Sequence, residues 1–329
     1  MQHRQSTPWI AASLAAVAGV FAPHGMAQAP WKPDKAVEVV VGSTPGGGND
    51  KTARTLQRIW QDGKWVDHVV VVNKVGGGGA LAYTYTNQHA ADAHYLAVAR
   101  MGFLTNHILG RSSIGHADMT PLALMGSEPT VFAVRADSPI RTVKDLVERL
   151  KADPQSVSVS LGSTRGSTTH FVLARVAKAA GVDPRRLKAV TFGGGAESVT
   201  NVLGGHIDMM SQSVDNAVAH HHSGSLRIIG ISTARRSAAL PDVPTLKEQG
   251  FDVVMGGWLA LMGPRSLAPA QIAYWEATLE RTANHGQWKR YLEEGSLEWQ
   301  FLASQPTREF LGREYDIARA LLAEIGMLK

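Results

Sequence analysis

Cysteine is missing from all 329 residues. That excludes disulfides, Cys-ligated zinc, iron–sulfur clusters and a cysteine nucleophile. Charge of one sign is scarce too: 33 basic and 28 acidic side chains leave a formal charge of +5, with no basic block. A dedicated nucleic-acid surface would concentrate Lys and Arg on one stretch or face. The composition therefore argues against nucleic acid as a partner and mildly for small anions. Long apolar runs are lacking apart from residues 9–22. Nucleotide motifs fail at defined positions. Gly63-Lys64 is followed by Trp65, which breaks a phosphate-binding P-loop, and the G-x-G-x-x-G pattern meets Lys51 after one glycine run and Leu81 after the next. Neither G-x-S-x-G nor H-E-x-x-H occurs. No metal or nucleotide cofactor is expected.

The N-terminus has the features of a secretory signal. Arg4 precedes the apolar run of residues 9–22, Pro23-His24 breaks that run, and Gly25-Met26-Ala27 places small residues before a cleavage point after Ala27. Fourteen residues at ~1.5 Å each fall short of the ~30 Å hydrocarbon core, so a membrane span is excluded for this run. Residues 1–27 are expected to be a signal peptide, and the mature chain to be exported.

The chain beyond Ala27 has the size of about two domains. Hydrophobic residues are 44% and glycine is 33 of 329, so the chain is globular and its glycines are worth locating. Strands are expected at residues 37–41, 69–73, 95–99, 131–134, 156–161, 189–192, 207–210 and 226–231, with helices at 51–60, 80–89, 142–152, 171–180 and 196–203. Residues 269–328 are expected to be mostly helical. Repeated strand–turn–helix units imply a parallel sheet covered by helices.

Four strand ends run into glycine-rich turns that open helices, at residues 45–50, 76–80, 163–169 and 193–198. The first N–H groups of a helix lack intrahelical partners and lie at the positive end of its dipole. Turns of this kind line one crevice of a parallel sheet and suit a ligand with carboxylates or phosphates. The alternative is that glycine merely permits a tight turn. Several side chains are candidates beside them. Arg165 could pair bidentately with a carboxylate or stay a solvated loop cation. Asp50, Asp208 and Asp215 are acids near strand ends. His170 could meet a bound anion or pack on the sheet. His220-His221-His222 reads as a solvated turn. An exported enzyme with His170 and Asp50 or Asp208 as acid and base is the alternative function.

Taken together, the pieces resemble the receptors of tripartite tricarboxylate transporters, the Bug family, and its tricarboxylate-receptor branch in particular. They are Pro45-Gly46-Gly47-Gly48-Asn49-Asp50, Val72-Asn73 with Gly76-Gly77-Gly78-Gly79, Ser163-Thr164-Arg165-Gly166-Ser167-Thr168, Gly193-Gly194-Gly195 with Leu203-Gly204-Gly205-His206-Ile207-Asp208, and Leu240-Pro241-Asp242-Val243-Pro244. Asn49 and Thr164-Arg165 depart from the family's usual turns. The resemblance implies an α/β, two-lobed, type II periplasmic-receptor fold, each lobe a mixed or mostly parallel sheet flanked by helices. The chain would cross between lobes near residues 128–133 and 252–261. Lobe 1 would comprise residues 29–127 plus 255–329, and lobe 2 residues 128–254. It also implies a periplasmic, monomeric receptor that captures a di-, tricarboxylate or aromatic acid and delivers it to transporter subunits in the inner membrane. A receptor that signals to a membrane sensor is the neighbouring alternative. Lobe 1 would bind through Thr44, Gly47, Gly48, Asn49, Asp50, Gly78, Gly79 and Ala80. Lobe 2 would bind through Ser163, Thr164, Arg165, Thr168, Gly194, Gly195 and Asp208.

Overall fold

The structure is a computed structural model that describes Met1 and residues 31–328. The expected signal peptide falls almost wholly outside the described residues. Strands β1 (Val37–Val41), β2 (Val69–Asn73) and β3 (Tyr95–Ala99) lie where the sequence pattern puts them. β1 is parallel to both of the others. Four of its five residues are buried, as befits a strand covered on both faces. Helix α1 (Gly48–Asp62) packs Ala53, Leu56, Ile59 and Trp60 against that sheet. The Trp60 indole donates to Thr282 Oγ1 at 2.8 Å, which leaves no buried donor unpaired there. Helices α2 (Ala80–Gln88) and α3 (Met101–Ile108) follow β2 and β3.

β4 (Thr120–Arg135) is far longer than the expected strand at 131–134. Its first part pairs with β9 (Gly256–Gly263), from Thr120↔Gly263 to Pro129↔Gly256. From Thr130↔Ser213 onward it pairs instead with β7 (Met209–Ser213), and its other edge takes β8 (Leu226–Ile231). Between β4 and β7 the chain forms α4 (Val143–Ala152), β5 (Ser158–Ser160), α5 (Thr168–Ala179), β6 (Lys188–Val190) and α6 (Gly195–Leu203). Thr142 caps α4 by a reciprocal box: Asp145 N–H donates to Thr142 Oγ1 at 3.1 Å, and Thr142 N–H donates to Asp145 Oδ2 at 3.0 Å. β5 is parallel to β6 and β7.

The sheet order is β2-β1-β3-β9-β4-β7-β5-β6, parallel at both ends and antiparallel where β9 and β4 join them. Helix α7 is Val218–His222. Residues 269–328 are mostly helical, as expected: α8 (Pro269–Asn284), α9 (Gly286–Glu294) and α10 (Ser304–Glu324), with β10 (Leu302–Ala303) added to β4. No helix among the described residues is long and apolar enough to cross a membrane.

Candidate functional site

A cavity of about 110 Å³ lies where strand ends from both halves of the sheet meet. Gly42 and Ser43 follow β1, Arg100 follows β3, Gly162 and Ser163 follow β5, and Ser213 ends β7; all line it. Helices begin at the same place. Gly48 and Asn49 open α1, Gly79 caps α2, Met101 and Gly102 open α3, Thr168 and Thr169 open α5, and Gly195 opens α6. Helix starts leave N–H groups without intrahelical partners and carry roughly half a positive charge, although at α2 the Gly79 and Ala80 N–H groups are taken by Gly76 O and Gly77 O. Gly79 has φ +97°, which a residue with a side chain rarely adopts, so the turn into α2 needs glycine there.

The two sides of the cavity touch. Thr44 N–H donates to Gly193 O at 3.3 Å, Lys51 Nζ donates to Asp215 O at 3.2 Å, and Arg111 Nη1 donates to Arg165 O at 3.1 Å. Thr164 Oγ1 meets Asn106 Oδ1 at 3.3 Å. These contacts describe a closed cleft.

Of the residues singled out by sequence, Gly48, Asn49, Gly78, Gly79, Ser163, Thr164, Thr168, Gly194 and Gly195 line the cavity. The others do not. Gly47 and Ala80 are buried but are not among the lining residues, and Thr44 joins the inter-turn contact above. Asp50 is 1% exposed and fully engaged. It accepts from Arg54 Nε and Nη2 at 2.8 and 3.0 Å, from Gly46 N–H at 2.9 Å and from Asn73 Nδ2 at 3.0 Å. Burial alone would raise its pKa, but these donors outweigh it and hold the carboxyl below the usual range. Asp50 braces its turn rather than facing a ligand. Arg165 is exposed and donates to Ala189 O at 2.6 Å, away from the cavity. Asp208 precedes β7, at the opposite end from the cleft, and accepts from Ser158 N–H and Oγ at 2.8 and 2.6 Å.

His170 resolves in favour of packing. It is 6% exposed, and its Nδ1 accepts from Gly166 N–H at 3.0 Å, so the ring is neutral there. Burial, with Arg165 and Arg111 nearby, pushes its pKa down to about 4. Neither Asp50 nor Asp208 is hydrogen-bonded to it, so the acid–base arrangement of the enzyme alternative is not assembled. The triple histidine, expected as a turn, forms the last three residues of the short helix α7. His221 Nε2 meets Asp242 Oδ2 at 3.1 Å.

Sequence reasoning missed several lining residues: Ser43, Arg100, Glu128, Gln212, Ser213 and Asn216. Arg100 and Glu128 are the only Arg, Lys, Asp or Glu among the lining residues, and they form an ion pair. Arg100 follows β3 just as the glycine turns follow their strands, but a search for glycine runs passes over it. Polar atoms in and beside the cleft are buried without a partner: Ser43 Oγ, Thr44 Oγ1, Arg100 Nε and Nη2, Thr168 Oγ1 and Asn216 Oδ1. Buried polar groups are ordinarily satisfied, so this concentration marks the place where a polar guest would be received.

A protein-family profile described as tripartite tricarboxylate transporter family receptor matches residues 53–327. The protein BugT of Bordetella pertussis is 28% identical over 77% of this chain and 77% of its own. Among solved structures, MatC of Rhodopseudomonas palustris with bound malate is 22% identical, with a TM-score of 0.80 over 88% of this chain and 100% of its own. Rpa4515 of the same organism with adipate is 21% identical, with a TM-score of 0.82 over 89% of this chain and 98% of its own. At these identities both are likenesses of fold.

Proposed function

The chain belongs to the tripartite tricarboxylate transporter receptor family, a family of solute-binding proteins rather than enzymes, and we propose that it is a periplasmic receptor that closes on a small carboxylate and delivers it to membrane transporter subunits. One observation carries the ligand reading. Five helix starts and a set of buried, unpartnered donors converge on a single small cavity. Helix N-termini favour anions, and several acting together compensate a carboxylate without a matching number of basic side chains. The volume of about 110 Å³ is below the ~300–1,000 Å³ of drug-sized sites, which favours a short-chain acid over a bulky one. Malate and adipate in two proteins of the same fold support that class.

The lobes are proposed to divide near residues 128 and 254. The change of partner along β4 from Pro129↔Gly256 to Thr130↔Ser213 supports the first boundary. The ligand would be held chiefly by backbone N–H groups at Gly48, Asn49 and Gly195, with Ser43 and Thr168 hydroxyls setting orientation.

Thermal unfolding of the mature chain, stripped of carried ligand by unfolding and refolding, tests this against a panel of mono-, di- and tricarboxylates. At 100-fold excess over Kd, binding adds about 2.7 kcal/mol, roughly 4 °C for a chain of this size. A shift with one or two short acids is expected. No shift with any acid would overturn the carboxylate reading.

A further inference from the structure

The cavity's one ion pair is built into the crossing strand. Glu128 lies on β4 opposite Gly257 of β9, beside the point where β4 changes partner. It is 8% exposed. Its Oε2 accepts from Ser213 Oγ, at the end of β7, at 2.7 Å, and the same oxygen pairs with Nη1 of Arg100, which precedes α3. Three elements therefore meet at one carboxylate oxygen. Position 257 is shaped for it: a β-carbon there would lie 2.8 Å from Glu128 Cγ and Oε1.

Nη1 is the nitrogen Arg100 gives to Glu128. Its Nε and Nη2 stay buried with no partner. Those two donors share one edge of the planar guanidinium and project nearly parallel. Elsewhere in this chain the same edge of Arg54 holds the two oxygens of Asp50 at 2.8 and 3.0 Å. An edge of this shape matches a carboxylate, and leaving it unpaired in a buried wall is unfavourable.

We propose that Arg100 seats one carboxylate of the ligand side-on through Nε and Nη2, and that Glu128 is the positioning residue that fixes Nη1 so that this edge faces the cavity. The proposal rests on the carboxylate-receptor reading above and names the atoms that read the acid. Glu128 acts by holding Arg100 rather than by touching the ligand, and Ser213 ties that hold to the far side of the cleft. Lysine cannot replace Arg100, because an ammonium is a point charge without a paired edge.

The test is titration calorimetry on the mature chain, using the acid that gives the largest thermal shift and its mono-amide. Arg100→Lys keeps the charge and should weaken the acid at least about tenfold, while shrinking the preference for acid over amide. Glu128→Ala should weaken it by about tenfold. Glu128→Gln should stay within about threefold of the wild type, because its carbonyl oxygen accepts from both Arg100 and Ser213. Circular dichroism melts confirm that each variant is folded. A wild type that binds no acid overturns both readings. A wild type that binds an acid, with Arg100→Lys binding it equally well, overturns this one alone. Glu128→Gln as impaired as Glu128→Ala, or Glu128→Ala unimpaired, overturns the positioning role.

Discussion

In the first half of the chain, Gly46 N–H is held by Asp50, four residues on, at 2.9 Å. In the second half, Gly166 N–H is held by His170 at the same separation and 3.0 Å. A third turn repeats the arrangement: Gly193 N–H donates to Glu197 Oε2 at 2.7 Å. In each case a turn glycine is tied to a side chain in the first turn of the helix it opens. The device needs an acceptor, not a charge. The acid version is buried and draws in Arg54 and Asn73, so it joins its turn to β2. The histidine version stays neutral, since burial and two nearby arginines oppose its protonation. Glu197 is exposed and serves its turn alone. The lesson is that a titratable residue beside a ligand turn can belong to the frame of the site rather than to its chemistry.

Three substitutions press on that comparison. Asp50→Ala should have the largest effect. It strands Arg54, Asn73 and the Gly46 N–H, and should cost about 3 kcal/mol of unfolding free energy in urea, with ligand affinity falling as the turn loosens. An effect no larger than that of Glu197→Ala would show the buried network to be idle. His170→Gln sharpens the comparison through pH. The folded pKa of about 4 lies below the ordinary 6.5, so the unfolded chain takes up the proton first. The stability held above pH 6.5 should drain away as pH falls towards 4, by up to about 3 kcal/mol. The glutamine can still accept from Gly166 and should flatten that part of the pH–stability curve; an unchanged slope would place the titration elsewhere. Glu197→Ala should be the mildest, within about 0.5 kcal/mol, because water replaces an exposed partner.

Much of this arrangement is legible in the sequence. The valine-rich runs at residues 37–41 and 69–73 are strands with those bounds, and their glycine turns line the cavity. Backbone donors need no particular side chain, so glycine placement alone reveals them. β9 was not legible. Gly-Gly-Trp-Leu-Ala-Leu-Met-Gly is buried on both faces, so it carries no alternation. The first part of β4 carries Pro121 and Pro129, residues that a strand paired on both edges rarely contains. With those two strands unseen, the meeting of Arg100 and Glu128 could not be foreseen, because β9 comes from far along the chain to lie between β3 and β4. Asp208 was misjudged for a smaller reason: it stands at the start of β7, whereas the cleft is lined by the other end of that strand, at Ser213.

β4 carries a last consequence. A strand hydrogen-bonded along both parts of its length is a flexure, not a pin joint. Under the lobe division proposed above, parting the lobes would bend it, and the irregularities of pairing between Pro121 and Ala123, Leu124 and Gly126, and Phe132 and Ala133 would be the compliant points along the beam. Such a part stores elastic energy when deflected and returns it. Stiffening those points would set how far the jaws open without altering a single atom that faces the guest.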